Sequence, residues 1–173
     1  MRTKAKFGSP MGFEIVAIET KHFEGFHRAL DSVSRERQFL AFLEAPPLDE
    51  TKAFLANGLS SGHSRFVALA EGEVVGWCDI TPKPRPVQQH VGLLGMGLVA
   101  AARSQGRGRA LLEATIADAQ MRGLSRIELT VFSDNLPAKR LYERVGFKVE
   151  GELKRDVLID GIYKNSFCMA LLG

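Results

Sequence analysis

A short turn, Gln105 to Ala110 with the sequence QGRGRA, has the composition of a phosphate-binding loop. It lies between an apolar run, Val91 to Val99, and an amphipathic helical pattern that begins near Arg107. The first N–H groups of a helix have no intrahelical acceptors, the helix dipole places partial positive charge there, and glycine lets an anion approach closely. The turn therefore indicates either an anion site, to which Arg103, Arg107 and Arg109 add charge, or a plain strand-to-helix connection.

A second segment, Asn135 to Phe147, carries a phenol and an amide that could take part in chemistry. A short helix is predicted here from about Leu136 to Val145, with Asp134 or Asn135 as its cap. Tyr142 on this helix is either a core aromatic with a hydrogen-bonded tip or a proton donor that faces a cleft. Asn135 is either the cap or a ligand-binding side chain, and the two roles are compatible.

The composition predicts one globular α/β domain over residues 1–173, with residues 1–11 as a flexible N-terminal segment. The chain is 45% hydrophobic and 25% charged, which suits a domain of this length with its own core. Cys78 and Cys168 lie far apart in apolar runs and the four histidines lack ligand spacing, so neither a disulfide nor a metal site is expected. No apolar run is long enough to cross a bilayer. A cytoplasmic protein without a membrane partner is therefore predicted.

The charge balance permits nucleic-acid binding without favouring it. The formal net charge is +3 and the pI is near 9.0. The 23 basic residues are interspersed with 20 acidic ones, so no long basic run forms, and closely spaced aromatic residues that could stack on bases are missing. We expect an ordinary solvated surface with a local phosphate site and no nucleic-acid partner.

Hydrophobic periodicity and turn residues predict the elements that precede the phosphate-binding turn. Gly58 is expected to end a helix in the left-handed conformation, and three prolines predict an extended, exposed loop from Thr81 to His90. The predicted elements are a strand at Phe13 to Glu19, one broken helix or two short helices at His22 to Val33 and Arg37 to Leu43, a helix at Leu48 to Asn57, and a hairpin of Ser64 to Ala70 with Val74 to Ile80.

After the loop, the pattern changes from hairpin to crossover. Strands are predicted at Val91 to Val99 and Arg126 to Phe132, with a helix at Arg107 to Met121 between them. A strand, helix, strand order predicts a parallel pair with a right-handed crossover. A final hairpin is predicted from Lys148 to Ile159 and Ile162 to Leu171.

Together, the two segments resemble the GNAT superfamily of acyl-CoA N-acyltransferases. The resemblance covers Phe13 to Leu171, by pattern alone before Val91, and it implies a mixed α/β fold. That fold has a mostly antiparallel central sheet, a splayed parallel pair and helices on both faces. The family's Gln/Arg-x-x-Gly-x-Gly/Ala motif is matched by Gln105, Gly108 and Ala110, and its Asn-x-x-Ala-x-x-Leu-Tyr-x-x-x-Gly-Phe motif by Asn135, Ala138, Leu141, Tyr142, Gly146 and Phe147.

The resemblance implies that the anion is the pyrophosphate of acetyl-CoA, held by main-chain N–H groups of the turn. The pantetheine arm would run beside the end of the splayed strand, much as an added strand does. Gly92, Gly95 and Gly97 in that strand indicate a bulge or the close approach of another backbone-like chain. The implied cofactor-binding residues are Leu98, Val99, Ala100, Gln105, Gly106, Arg107, Gly108, Arg109, Ala110, Asn135, Ala138 and Tyr142.

The implied reaction is direct transfer of an acetyl group from acetyl-CoA to an amine in a ternary complex, with coenzyme A as product. Tyr142 is the implied catalytic acid for the departing thiolate, and N–H groups around Leu98 and Val99 are implied oxyanion donors. Many relatives carry a glutamate base on the splayed strand, which has no carboxylate here. His90 and Asp79 are available substitutes, and the base stays unassigned.

The acceptor is expected to be a small-molecule amine or a peptide amine. In relatives its site is bounded by the region between the first two helices and by the final hairpin. The Thr81 to His90 loop is left with two roles, a border of the acceptor site or a contact in a homodimer. The acidic residues of these regions, which either attract a cationic amine or are solvated surface, are Glu44, Asp49, Glu50, Asp156 and Asp160.

Two other functions share some of these features. A dinucleotide-binding Rossmann unit also uses a glycine turn between parallel strands, but Leu111 stands where its third glycine would fall. A non-catalytic acyl-CoA sensor or interaction module on the same fold would keep most of the motifs, and it remains the alternative to an enzyme.

Overall fold

The computed structural model describes residues 12–173 of the chain, and the predicted flexible segment 1–11 lies outside them. Seven strands form one sheet in the order β1-β2-β3-β4-β5-β7-β6. Of the neighbouring pairs, only β4 and β5 are parallel. The strands are β1 (Phe13–Ala17), β2 (Ser64–Ala70), β3 (Glu73–Pro82), β4 (Val91–Leu98), β5 (Arg126–Phe132), β6 (Lys148–Ile159) and β7 (Ile162–Leu172).

Helices cover both faces of this sheet, as expected. One core joins the first two helices to β3 through Phe26, Leu55 and Trp77. The other joins the last two helices to the opposite face through Leu111 and Tyr142. In residues 12–173 no helix combines the length and hydropathy that a membrane crossing needs. The helices are α1 (Phe23–Arg35), α2 (Leu48–Ser60), α3 (Arg107–Met121) and α4 (Leu136–Val145).

The parallel pair is splayed. β4 pairs with β5 only at Val91, Gly92 and Leu93, although β4 continues to Leu98 and β5 to Phe132. Beyond Leu93 the two strands diverge, so the second half of β4 has β3 on one edge and a gap on the other. The strand, helix, strand prediction is confirmed, and α3 connects the two strands.

Of the two expectations for the glycines of β4, a bulge or the close approach of another backbone-like chain, the bulge is wrong for the pairing with β3, and two of the glycines serve side-chain packing. The β3–β4 register runs without interruption from Gly76↔Leu98 to Pro82↔Gly92. A Cβ on Gly97 would overlap the ring of Trp77, and one on Gly92 would overlap Ile80. These two glycines let large neighbouring side chains cross the face of the sheet.

The predicted helix at Arg37 to Leu43 is wrong. Arg37 has φ +56°, in the left-handed region, which ends the helical path just after α1. The segment 36–47 is irregular, and side chains of α1 hold it: the Ala45 N–H donates to Asp31 Oδ1 over 3.0 Å. His27 Nε2 lies 2.9 Å from the carbonyl oxygen of Pro46.

Gly58 does not cap α2, which continues to Ser60. The left-handed glycine after this helix is Gly62, with φ +71°. Gly58 is buried inside the helix. A Cβ there would overlap the guanidinium of Arg65, which passes beneath α2 from β2. Space for a neighbouring side chain, and not backbone conformation, explains this glycine.

The Thr81 to His90 loop is only partly as predicted. β3 continues to Pro82, and residues Pro86–Gln88 form a 3-10 turn. Val87 at the tip of the loop is 81% exposed.

The final hairpin is confirmed, with Asp160 and Gly161 both at positive φ in its turn.

Candidate active site

The start of α3 presents a run of unpaired backbone donors. Gly106 is the N-cap at φ +73°, and its helix has no side-chain cap and no acidic residue in the first turn. Among residues 12–173, the N–H groups of residues 104–109 find no hydrogen-bond acceptor, whereas that of Ala110 donates to Gly106 O over 3.3 Å. The Ala110 N–H was among the predicted phosphate donors but is already engaged. The remaining N–H groups lie where the helix dipole favours an anion.

The arginines near this turn have other partners. Arg103 donates through Nε to Leu98 O over 2.9 Å, and its Nη1 donates to Glu36 Oε2 over 2.8 Å. Arg109 Nε donates to Glu113 Oε1 over 2.8 Å, and the Arg107 guanidinium lies 4.8 Å from the centre of the Phe13 ring. The Gln105 side chain donates to Ala101 O. Free binding capacity at this turn thus lies in the backbone.

The free edge of β4 provides further backbone groups. N–H and C=O groups alternate between the two edges of a strand. Val99 N–H donates to Val75 O, on the β3 side. The backbone groups of Leu94, Met96 and Leu98 therefore face the gap, although Leu98 O already accepts from Arg103.

This alternation changes which residues of β4 can bind a ligand. The predicted donor at Val99 is engaged, and Ala100 begins a 3-10 turn, Ala100–Ala102, instead of extending the strand. Met96, whose backbone groups face the gap, replaces Val99 and Ala100 as a candidate ligand-binding residue. It was not predicted from the sequence. Once β4 is known to pair with β5 through Gly92, counting in twos along the strand identifies it.

Helix α4 explains most of the second motif structurally. Asn135 Oδ1 accepts from Ala138 N–H over 3.3 Å and caps the helix. Gly146 ends the helix at φ +113°, and its N–H donates to Tyr142 O and Glu143 O. Phe147 is fully buried, with its ring centre 5.7 Å from that of Tyr142.

The Tyr142 hydroxyl is the chemically available group of this helix. The residue is 7% exposed, and burial, with a smaller contribution from neighbouring Cys78, raises the pKa of its phenol. Cys78 pairs with Met96 in the β3–β4 register, so Tyr142 lies beneath the part of β4 that has no β5 partner. Among the described residues the hydroxyl has no hydrogen-bond partner. A neutral phenol at this position can donate a proton.

A cavity of about 410 Å³ lies on the opposite face of β3 and β4. Phe26 and Leu30 of α1, Phe42 of the 36–47 segment and Phe54 of α2 form much of its wall. Trp77 closes it from β3. The cavity reaches β4 at residues 95 and 96, within the stretch that faces the gap.

Asp79 is a carboxylate in this cavity, directly opposite Gly95 in the β3–β4 register. Burial raises the pKa of its carboxyl group to about 6, and the charge of Arg65 partly offsets this effect. Within residues 12–173 it forms no hydrogen bond and no ion pair. The cavity thus holds an unsatisfied carboxylate with a raised proton affinity.

The other candidate polar groups divide clearly. Glu50 lines the cavity. His90 is exposed, precedes β4 and does not line the cavity. Glu44 forms an ion pair with Arg35, and Asp160 forms one with Arg37, which ties the last hairpin to the 36–47 segment. Asp49 and Asp156 are exposed and lie outside the cavity lining. The part of the chain that the structure describes contains no cluster of metal-ligating side chains.

Comparisons with known proteins agree with this geometry. The model of the family described as "Acetyltransferase (GNAT) family" matches residues 28–147. The L-amino acid N-acetyltransferase AaaT of Escherichia coli (strain K12) is 37% identical over 111 residues, which are 63% of this chain and 68% of that protein.

Solved structures have the same fold. An acetyltransferase of the GNAT family from Streptococcus pneumoniae superposes with a TM-score of 0.87 at 28% identity, covering 93% of this chain and 99% of that one. A GNAT superfamily phosphinothricin acetyltransferase from Sinorhizobium meliloti, solved in complex with AcCoA, gives a TM-score of 0.88 at 18% identity, covering 94% and 90%. With one parallel pair in a seven-stranded sheet, the fold is not a doubly wound Rossmann sheet.

Proposed function

Because the chain belongs to the acetyltransferase (GNAT) family, we propose that it transfers an acetyl group from acetyl-CoA directly to an amine within a ternary complex. The observation that carries this proposal is the gap between β4 and β5, which begins at Leu94. Unpaired backbone donors lie at the start of α3, a strand edge is free along the gap, and a buried phenol lies below it.

The residues around the gap fit a coenzyme A thioester. The N–H groups of residues 104–109 suit a pyrophosphate, since they are unpaired and lie at a helix N-terminus. The free edge of β4 at Leu94, Met96 and Leu98 suits the amides of pantetheine, which pair with a strand edge as another strand does. Bound acetyl-CoA would supply the activated acetyl thioester.

Residues of this chain would move the charges and protons of the reaction. An N–H group on the free edge of β4 that pantetheine leaves unpaired, that of Met96 or Leu98, would stabilise the negative charge that develops on the carbonyl oxygen. Tyr142 would donate a proton to the thiolate. Overall, the amide C–N bond forms and the thioester C–S bond breaks, while the ammonium nitrogen loses two protons, one to the thiolate and one to solvent.

The acceptor is proposed to be a small-molecule or peptide amine that enters from the cavity on the other face of β4. The name of the Escherichia coli relative supports L-amino acids among the amines tested. The proposal also places the reaction in the cytoplasm, where Cys78 and Cys168, both free, would stay reduced.

A thiol-release assay with acetyl-CoA over a panel of amines tests the enzyme. We expect release of one thiol per acetylated amine, verified by mass spectrometry of the product. Binding of acetyl-CoA without thiol release across the panel would instead support the acyl-CoA sensor. A protein that binds no acetyl-CoA in calorimetry would contradict both functions.

A further inference from the structure

The cavity on the α1–α2 face of the sheet is shaped for an apolar group next to a cation. Its volume of about 410 Å³ falls within the range of ligand pockets, and a cavity of roughly 150 Å³ already accommodates benzene. Phe26, Leu30, Phe42, Phe54 and Trp77 line it. Such a wall stabilises an aliphatic or aromatic substituent and disfavours a second buried charge.

The charged groups that line the cavity are both carboxylates. Asp79 stands in the wall formed by β3, and Glu50 belongs to the first turn of α2. No lysine or arginine is among the lining side chains in the described part of the chain. Arg65 lies opposite Asp79 in the β2–β3 register, but it donates to Phe54 O over 2.8 Å and lies 3.9 Å from the centre of the Phe54 ring. A ligand in this cavity therefore meets negative charge.

Asp79 is also close to the strand edge where the acetyl group is expected. It pairs with Gly95, whose missing side chain leaves the carboxylate facing open space: a Cβ there would lie 3.4 Å from Asp79 Oδ1. The next residue, Met96, has its backbone directed to the gap and also lines the cavity. An amine nitrogen held at Asp79 would thus lie beside Gly95, the neighbour of Met96, whose backbone faces the proposed thioester site.

We propose that this cavity binds a primary amine carrying a bulky apolar group, and that Asp79 pairs with its ammonium and accepts one proton from it. This inference rests on the acetyl transfer proposed above and adds its acceptor class and its base. The ammonium N–H bond breaks, the proton goes to an Asp79 oxygen, and the freed lone pair becomes the nucleophile. Asp79 later releases the proton to solvent.

The surroundings of Asp79 suit this role. Its carboxyl pKa of about 6, raised by burial, makes it a stronger base than an ordinary carboxylate while leaving it mostly ionised at neutral pH. Arg65 of β2 and Glu50 of α2 are the charged groups that face it from the elements packed around it. The rate should therefore fall as the pH drops through about 6.

The test compares amines matched in all but their side group. We expect 2-phenylethylamine and L-phenylalanine to exceed ethanolamine and glycine in kcat/KM by about 30-fold or more. Comparing 2-phenylethylamine with L-phenylalanine shows whether the natural source is a simple amine or one with a carboxylate. Calorimetric binding of 2-phenylethylamine to the protein without acetyl-CoA gives a readout that does not depend on turnover.

Two pairs of variants identify the residues. Asp79→Asn should lower kcat/KM by about 10²-fold, remove the acid limb of the pH profile and weaken amine binding about 10-fold, whereas Asp118→Asn on α3 should change none of these. Phe42→Ala should raise KM for 2-phenylethylamine several-fold without affecting that for glycine. Leu43→Ala is its matched control, because Leu43 is a similarly exposed neighbour that does not line the cavity.

The possible results separate the two proposals. Thiol release without preference for apolar amines, or a fully active Asp79→Asn protein, would overturn the inference and leave acetyl transfer standing. Failure of every amine to release thiol would remove the proposed function. In that case, Asp79-dependent binding of 2-phenylethylamine would still support the amine site, and its absence would overturn it.

Discussion

Gly108 at the start of α3 lies against Leu98 at the end of β4: a Cβ on Gly108 would stand 3.1 Å from Leu98 Cδ1 and 3.5 Å from Leu141 Cδ2. This close approach sets the distance between the proposed phosphate donors and the free edge of β4. Packing of helix against sheet and the proposed binding of the cofactor would therefore depend on the same glycine.

Gly108→Val should weaken binding of acetyl-CoA by about 10-fold or more, because its branches must displace Leu98 and Leu141. Gly108→Ala should have a smaller effect, since only the flexible tip of Leu98 must move. Calorimetry with coenzyme A measures both. Gly151→Val is the control, as that glycine has open space around it. Unchanged affinity in Gly108→Val would mean that this turn does not hold the phosphates.

Gly106 tests backbone conformation separately from space. It has φ +73° and nothing within 4 Å of an added Cβ. Gly106→Ala should cost about 1 kcal/mol of stability and lower coenzyme A affinity, whereas Gly106→Asn should retain more of both because asparagine tolerates the left-handed region. Denaturant unfolding and calorimetry distinguish the two variants. Equal losses in both would point to blocked access and not to strain.

The elements with strong periodicity and clear caps were predictable from the sequence. Helix α4 was predicted from about Leu136 to Val145 with Asp134 or Asn135 as its cap, and the structure has it at Leu136–Val145 with Asn135 as the cap. The segment after α1 was not, because its path depends on a positive φ at Arg37 and on distant hydrogen bonds to α1 side chains. Local propensity does not encode such contacts.

The candidate site was predictable in part for the same reason. The glycine turn and Tyr142 lie in local motifs, so sequence spacing alone is enough to predict them as candidate site residues. The cavity joins residues from α1, α2, β3 and β4, and only the register that places Asp79 opposite Gly95 reveals its carboxylate. Alternation along β4, which selects Met96 over Val99, likewise requires knowing where the strand pairs.

Tyr142→Phe should leave coenzyme A affinity nearly intact and lower turnover by about 10²-fold. The raised pKa keeps the phenol protonated at neutral pH, so the wild-type residue is ready to donate. Stability should change little, because the hydroxyl has no hydrogen-bond partner within residues 12–173. Single-turnover kinetics and thermal unfolding measure both quantities. Turnover at the wild-type level would exclude Tyr142 from the mechanism.

The ionisation of Asp79 should be visible in stability. Its folded-state pKa of about 6 exceeds the ordinary 3.8, so the folded state binds more protons between these values. The contribution of Asp79 to the free energy of unfolding is therefore fully present below pH 4. It is lost as the pH rises through 6, which lowers the free energy of unfolding by up to about 3 kcal/mol. Asp79→Asn should match wild type at pH 4 and be more stable at pH 7 in urea unfolding. Asp118→Asn, the control, should lose at most about 1 kcal/mol with its exposed ion pair to Arg122 and should not gain stability at pH 7.

Gly58→Ala should destabilise the protein even though alanine favours helices by about 1 kcal/mol over glycine. The added Cβ would overlap the Arg65 guanidinium, which is 4% exposed and fixed by its bond to Phe54 O. Because Arg65 cannot move toward solvent without losing that bond, we expect a net loss of about 1 to 3 kcal/mol in urea unfolding. Asn57→Ala, at the exposed neighbouring position, should instead gain a few tenths of a kcal/mol. A stabilised Gly58→Ala protein would show that Arg65 repacks freely. Because the charge of Arg65 lowers the pKa of Asp79, the pKa of Asp79 should then shift in that variant.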